Sequence, residues 1–161
     1  MKIFIKIAVV AAVLAGAVLA SCTTECYQSK RSLLGVAFLD SMTLKPLTVE
    51  RLTVMGVGSD SILYNNVNVN TVYLPMHLTS DITEYEFTIL PPTEEQVVIS
   101  FKLAVKHNVR PFFVSKECGC VASYEISDFS YTPNVFIKKA EIYNPSVLNV
   151  EGDVHIKIYS Y

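Results

Sequence analysis

The chain has 161 residues, 51% of them hydrophobic and 17% charged, with a formal net charge of −2. A balance this close to neutral, and faintly acidic, gives no electrostatic draw towards phosphate backbones and argues against a nucleic-acid partner. All but four of the first 21 residues are apolar; without them the apolar fraction falls to about 46%, an ordinary globular value, so the chain is neither a helical membrane protein nor a disordered one.

Residues 1–21 read as a secretory signal peptide. Lys2 and Lys6 supply a positive start, and residues 7–19 form an apolar run of 13 residues, too short to span a bilayer. The run closes on Leu19-Ala20-Ser21-Cys22, which resembles the lipobox of bacterial lipoproteins. That resemblance implies cleavage before Cys22, a diacylglycerol on its thiol and a palmitate-type acyl group on its new amine. Several acyl chains hold a protein stably on a membrane, so the lipid bilayer becomes the first expected partner, through Cys22. No aspartate follows Cys22 and Glu25 stands alone. By analogy with known lipoproteins this favours the outer membrane, with a periplasm-facing domain preferred over a surface-exposed one. Loss of Lys2 and Lys6 takes the formal charge from −2 to −4.

Residues 22–31 read as a lipidated tether and residues 32–161 as a single domain. Period-two alternation predicts strands at 33–39, 52–57, 83–90, 97–107, 121–127, 135–143 and 154–161. Shorter edge strands are expected at 62–64, 72–74 and 111–114. The apolar phase changes near Lys138-Lys139, as a β-bulge would produce. Turn residues punctuate the pattern at Asp40-Ser41, Gly58-Ser59-Asp60, Asn65-Asn66, Pro91-Pro92, His107-Asn108, Asn144-Pro145 and Glu151-Gly152-Asp153. No helical spacing survives beyond residue 21. The expected fold is all-β: an antiparallel β-sandwich of immunoglobulin or transthyretin type with seven to nine strands, a small barrel being the runner-up.

Beyond the anchor lie Cys26, Cys118 and Cys120. A bridge between Cys118 and Cys120 would close a strained ring, so Cys26 is expected to pair with one of the two in an oxidising compartment. A bridge from Cys26 to Cys118 spans 92 positions, and a loop of that size stabilises by about 4–5 kcal/mol in the chain-entropy account. A Cys-x-Cys metal site lacks further ligands at suitable spacing.

The residues show no Gly-x-Ser-x-Gly elbow, His-Glu-x-x-His pair or phosphate-binding glycine loop. Gly56-Val57-Gly58 reads as a turn, and His77, His107 and His155 read as surface or rim histidines. Tyr159 and Tyr161 share a stripe with His155 and Lys157, a candidate contact surface, and a groove involving Phe112 is a further candidate. No catalytic residue, cofactor or metal is expected.

The ordered features together resemble an uncharacterised family of small bacterial envelope lipoproteins. These are the lipobox, Cys26, Phe38-Leu39-Asp40, Lys45-Pro46, Val54 to Gly58, Leu74-Pro75-Met76, Phe113 to Gly119 and the closing Val154 to Tyr159. The resemblance implies a disulfide between Cys26 and Cys118, and leaves Cys120, which departs from the pattern, as a free thiol or alternative partner. The expected function is a membrane-anchored, non-enzymatic binding or structural module that meets an envelope protein or a glycan. The alternatives are a thiol- or histidine-dependent envelope enzyme and a structural subunit of an outer-membrane protein complex.

Overall fold

A computed structural model describes residues 31–59, 61–90, 97–116 and 119–161. Cys22, Cys26, Cys118 and the leader lie outside the described residues. Ten strands run through what is described: β1 Leu33–Asp40, β2 Val49–Gly56, β3 Ile62–Val69, β4 Thr71–Pro75, β5 Ile82–Ile89, β6 Ile99–Ser115, β7 Gly119–Tyr131, β8 Ile137–Ile142, β9 Ser146–Val147 and β10 Ile156–Ser160. They form two sheets, β4-β1-β10-β8 and β3-β2-β5-β6-β7-β9. The fold is an all-β sandwich in which antiparallel pairs dominate, with β1 and β10 the parallel exception.

Alternation explains the strands. In β5, Thr83, Tyr85 and Phe87 turn inwards while Glu84 faces solvent, so each residue pair spends its apolar member on the core. The inner faces meet through aromatic rings. Phe38 of β1 lies edge-on to Phe87 of β5 at 6.3 Å, and Phe87 stacks on its cross-strand partner Phe101 at 4.9 Å. Phe136, just before β8, packs against both Phe38 and Phe101. Leu34, Val36, Leu74, Ile156 and Ile158 from one sheet and Leu52, Val54 and Leu103 from the other complete a sealed interior. Each such side chain contributes about 1.5–3 kcal/mol by leaving water.

The strand pattern departs from expectation where local geometry absorbs a residue. Asn65-Asn66 is no turn: β3 continues through it, and Asn66 adopts φ 51°, a left-handed conformation asparagine tolerates. The register against β2 slips there, as in a bulge. The chain changes sheets at Asn70 instead, between Val69 paired with Val49 and Thr71 paired with Ala37. His107-Asn108 is also no turn, because β6 runs unbroken to Ser115 and absorbs the separate strand expected at 111–114. Beyond Lys106 the strand has lost β5 as a neighbour, so Pro111 sits in a two-stranded ribbon with β7, where a missing N–H is tolerated. The phase change at Lys138-Lys139 is a bulge: Tyr159 pairs with Lys139 and Ser160 with Ile137, leaving Lys138 unmatched.

Candidate functional site

Three regions gather the polar and reactive side chains. The first is the groove where the chain enters the sandwich. Ser32, buried, donates its hydroxyl to the Ala122 carbonyl of β7, tying the entry point to a strand of the other sheet. Beside it opens a cavity of about 370 Å³ lined by Arg31, Leu33, Met76, Leu78, Cys120 and Tyr124, among others. Tyr124 closes its floor by donating to the Met76 carbonyl at 3.1 Å. Cys120 is a free, exposed thiol. It lies across from Phe113 in the β6–β7 ribbon. Alternation puts Cys120, Ala122 and Tyr124 on one side of β7. Among the described residues the outer edge of β7 is covered at Tyr124 and Glu125 by β9 and at Ile126 by the Pro145 carbonyl. Among the described residues no strand pairs with that edge from Gly119 to Ser123.

The second region is the pair of buried histidines, which overturns the expectation of surface positions. His107 is 1% exposed and His155 0%, whereas His77 is exposed as expected. The Thr83 hydroxyl contacts His107 Nε2 at 2.8 Å and also accepts the His77 backbone N–H. The His107 ring meets Tyr124 edge-on at 5.2 Å. His155 Nδ1 accepts the Gly35 backbone N–H at 2.9 Å, which assigns the remaining proton of the neutral ring to Nε2. Burial holds both rings below the ordinary histidine range; the Asp81 carboxylate partly offsets this at His107, and the Asp153 carboxylate does so at His155. Neither His107 Nδ1 nor His155 Nε2 has a hydrogen-bond partner among the described residues. These are neutral rings locked inside the fold, and period two already pointed to one of them, since His107 continues the inward parity of Leu103 and Val105.

The third region is the outer face of the β4-β1-β10-β8 sheet. Lys157 and Tyr159 of β10 lie opposite Glu141 and Lys139 of β8. Glu141 takes a hydrogen bond from Lys139 and another from the Tyr159 hydroxyl at 2.7 Å. The bonds from Lys139 and then Tyr159 hold its carboxyl below the usual carboxylate range. Three ammonium groups sit over three rings: Lys157 over Tyr143 at 3.2 Å, Lys138 over Tyr161 at 4.9 Å and Lys139 over Tyr159 at 5.4 Å. Tyr143 and Tyr161 are themselves exposed. The stripe anticipated from Lys157, Tyr159 and Tyr161 is therefore present without His155, which turns inwards. Tyr143 closes the strand expected at 135–143 but was not grouped with the stripe; β8 stops at Ile142, and the ring just beyond it meets Lys157. Phe112 is on β6, a strand of the other sheet from β10, which carries Tyr159.

The molecule is thus an all-β sandwich module with an apolar groove at its entry and an aromatic–cationic face on one sheet. A family model described as a family of unknown function (DUF6452) matches residues 51–160, and the chain belongs to that family. The match takes in Cys120, both buried histidines and the tyrosine–lysine face except Tyr161. No curated protein matches the chain, and no solved structure does.

Proposed function

We propose that this chain is an envelope lipoprotein, anchored to the outer membrane through acylated Cys22, whose sandwich serves as a non-enzymatic binding module. The observation that carries the reading is the run Leu19-Ala20-Ser21-Cys22 directly after 13 apolar residues. The position of β1 fits it: the first strand among the described residues starts at Leu33, about ten residues after the acylation site. That length lets the sandwich stand clear of headgroups while staying tied to the bilayer.

The tyrosine–lysine face supports a binding role and is its contact surface. Rings and ammonium groups held together in pairs present apolar area and positive charge as one unit. Tyr143, Tyr159 and Tyr161 are side chains of the kind that dominate recognition surfaces, large and with few rotors to freeze. An envelope protein or a glycan is the expected partner.

The test is photo-crosslinking in intact cells from a reactive amino acid at Tyr143, compared with the same label at Glu84 on the opposite sheet. A discrete adduct from Tyr143 alone supports the reading. Equal labelling from both positions, or none from either, counts against it.

A further inference from the structure

We propose that the tyrosine–lysine face of the β4-β1-β10-β8 sheet binds an acidic glycan, a linear chain of uronate sugars whose carboxylates seat on the Lys157–Tyr143 and Lys138–Tyr161 pairs. The inference rests on the reading of this face as the contact surface and names the class of its partner.

The face itself shows how it holds a carboxylate. Lys139 sits over the Tyr159 ring, and Glu141 takes a hydrogen bond from Lys139 on one oxygen and from the Tyr159 hydroxyl on the other. The same unit, an ammonium over a ring, recurs on either side as Lys157 over Tyr143 and Lys138 over Tyr161. Among the described residues no carboxylate of the chain is hydrogen-bonded or ion-paired to Lys138, to Lys157 or to the hydroxyls of Tyr143 and Tyr161. Asp40 lies within the field of Lys138, but its Oδ1 accepts the Met42 and Thr43 N–H groups of its own turn. Strands β8 and β10 together carry three lysines and one glutamate, a local charge of +2 in a chain whose formal net charge is −2. That excess attracts an anion.

The units are strung along β10. Tyr143 is level with His155, whose carbonyl accepts the Tyr143 N–H at 2.8 Å. Tyr159 lies four residues and Tyr161 six residues beyond His155, so the three rings extend over about 20 Å. Tyr143 is 61% and Tyr161 76% exposed, and a partner therefore meets rings that stand open on a surface. Each ammonium is already seated on its ring, and the Tyr143 backbone is pinned, so little freedom is left to lose on binding.

A linear uronate polymer matches this pattern. Its carboxylates recur at fixed intervals and take charge-assisted hydrogen bonds from an ammonium and a hydroxyl, as Glu141 does. Its sugar rings are rigid and carry C–H faces that lie against electron-rich tyrosine rings. An acidic peptide offers the same carboxylates, but every residue it lays on the face gives up backbone freedom. It also has no rigid C–H face between its charges.

The test uses the cell-made protein in detergent and titration calorimetry with hexamers of galacturonate and of mannuronate. The expected result is binding of at least one of these, weakened about tenfold or more when its carboxylates are methyl-esterified, with hexaglutamate weaker by a similar factor. Lys157→Gln and Lys138→Gln should each weaken the uronate by about fivefold or more. Tyr143→Phe keeps the ring beneath Lys157 and removes only the hydroxyl; it should weaken binding about threefold at an unchanged melting temperature. Glu84→Gln, on the opposite sheet, should leave the affinity as it is. Binding of neither hexamer overturns the inference, as does equal binding of the methyl ester, hexaglutamate held as tightly as the uronate, or an affinity that both lysine variants leave intact. Photo-crosslinking from Tyr143 reads the contact surface apart from the class of its partner: a discrete protein adduct without uronate binding overturns the acidic glycan and leaves the contact surface standing.

Discussion

Gly35 and His155 clamp each other across 120 positions of chain: the Gly35 N–H donates to His155 Nδ1 at 2.9 Å and the His155 N–H donates to the Gly35 carbonyl at 2.8 Å. The pair sits just ahead of the parallel β1–β10 ladder, which begins at Val36 and Ile156. It sets that register by using both backbone groups of Gly35. The His155 carbonyl in turn accepts from Tyr143, so the clamp also positions a member of the outer tyrosine–lysine face.

Gly35 has no room for a side chain. A Cβ there would fall 2.0 Å from the Asp153 carbonyl oxygen, and the obstacle is backbone. Gly35→Ala must push β1 from the chain leading into β10, at a cost of about 2–4 kcal/mol. Chemical denaturation should show that loss with little change in denaturant dependence.

The two buried histidines predict the pH profile of stability. Unfolded, each binds a proton near pH 6.5. Folded, burial holds each below that value, so between the two values the unfolded state binds more protons than the native one. Stability is therefore full above about pH 6.5 and falls as pH drops below it, with a limiting slope of about 1.4 kcal/mol per pH unit for each ring. His155→Asn, which keeps an acceptor near Nδ1, and His107→Gln, which keeps a hydrogen-bonding amide near Nε2, should each remove about half of that slope. Melting curves from pH 8 to pH 5 measure it.

His155→Leu separates the acceptor from the titration. It flattens the pH profile like His155→Asn, but it also strands the buried Gly35 N–H. An additional cost of about 1–3 kcal/mol at pH 8 should follow, visible as a lower melting temperature than His155→Asn.

Two tyrosine hydroxyls calibrate the inside against the outside. Tyr85, buried, donates to the Pro75 carbonyl at 2.7 Å, and burial pushes its ionisation far upwards. Tyr85→Phe should cost about 1 kcal/mol. Alkaline titration of tyrosine absorbance should show that this ring does not ionise until the fold opens. Tyr159→Phe removes a bond to Glu141 on the open sheet face, where solvent screens the interaction, and should leave the melting temperature nearly unchanged.

Much of this fold was legible in the sequence because its core obeys one rule. Strand faces such as Tyr85, Phe87 and Phe101, Leu103, Val105 follow period two, and their burial follows from it. Even the Lys138 bulge left a visible break in phase. The rule failed where residues lie outside a ladder. His155 was grouped with Lys157 and Tyr159 by parity, yet β10 begins only at Ile156, and its ring is held by Gly35, which no local pattern reveals. Asn65-Asn66 and His107-Asn108 carry turn chemistry, but cross-strand pairing absorbed both as shifts of register inside a continuing strand. The groove at Cys120 depends on where the chain enters the sandwich, a relation between residues 32 and 122 that alternation does not encode.

The central claim, a lipid-anchored envelope module, is tested most directly by intact mass spectrometry of the cell-made protein together with its N-terminal peptide. The predicted result is a chain that starts at Cys22 and carries a diacylglycerol and an amide-linked acyl group, all lost together in Cys22→Ala. A mature chain that starts elsewhere, or one that starts at Cys22 with an unmodified thiol and amine, would contradict it.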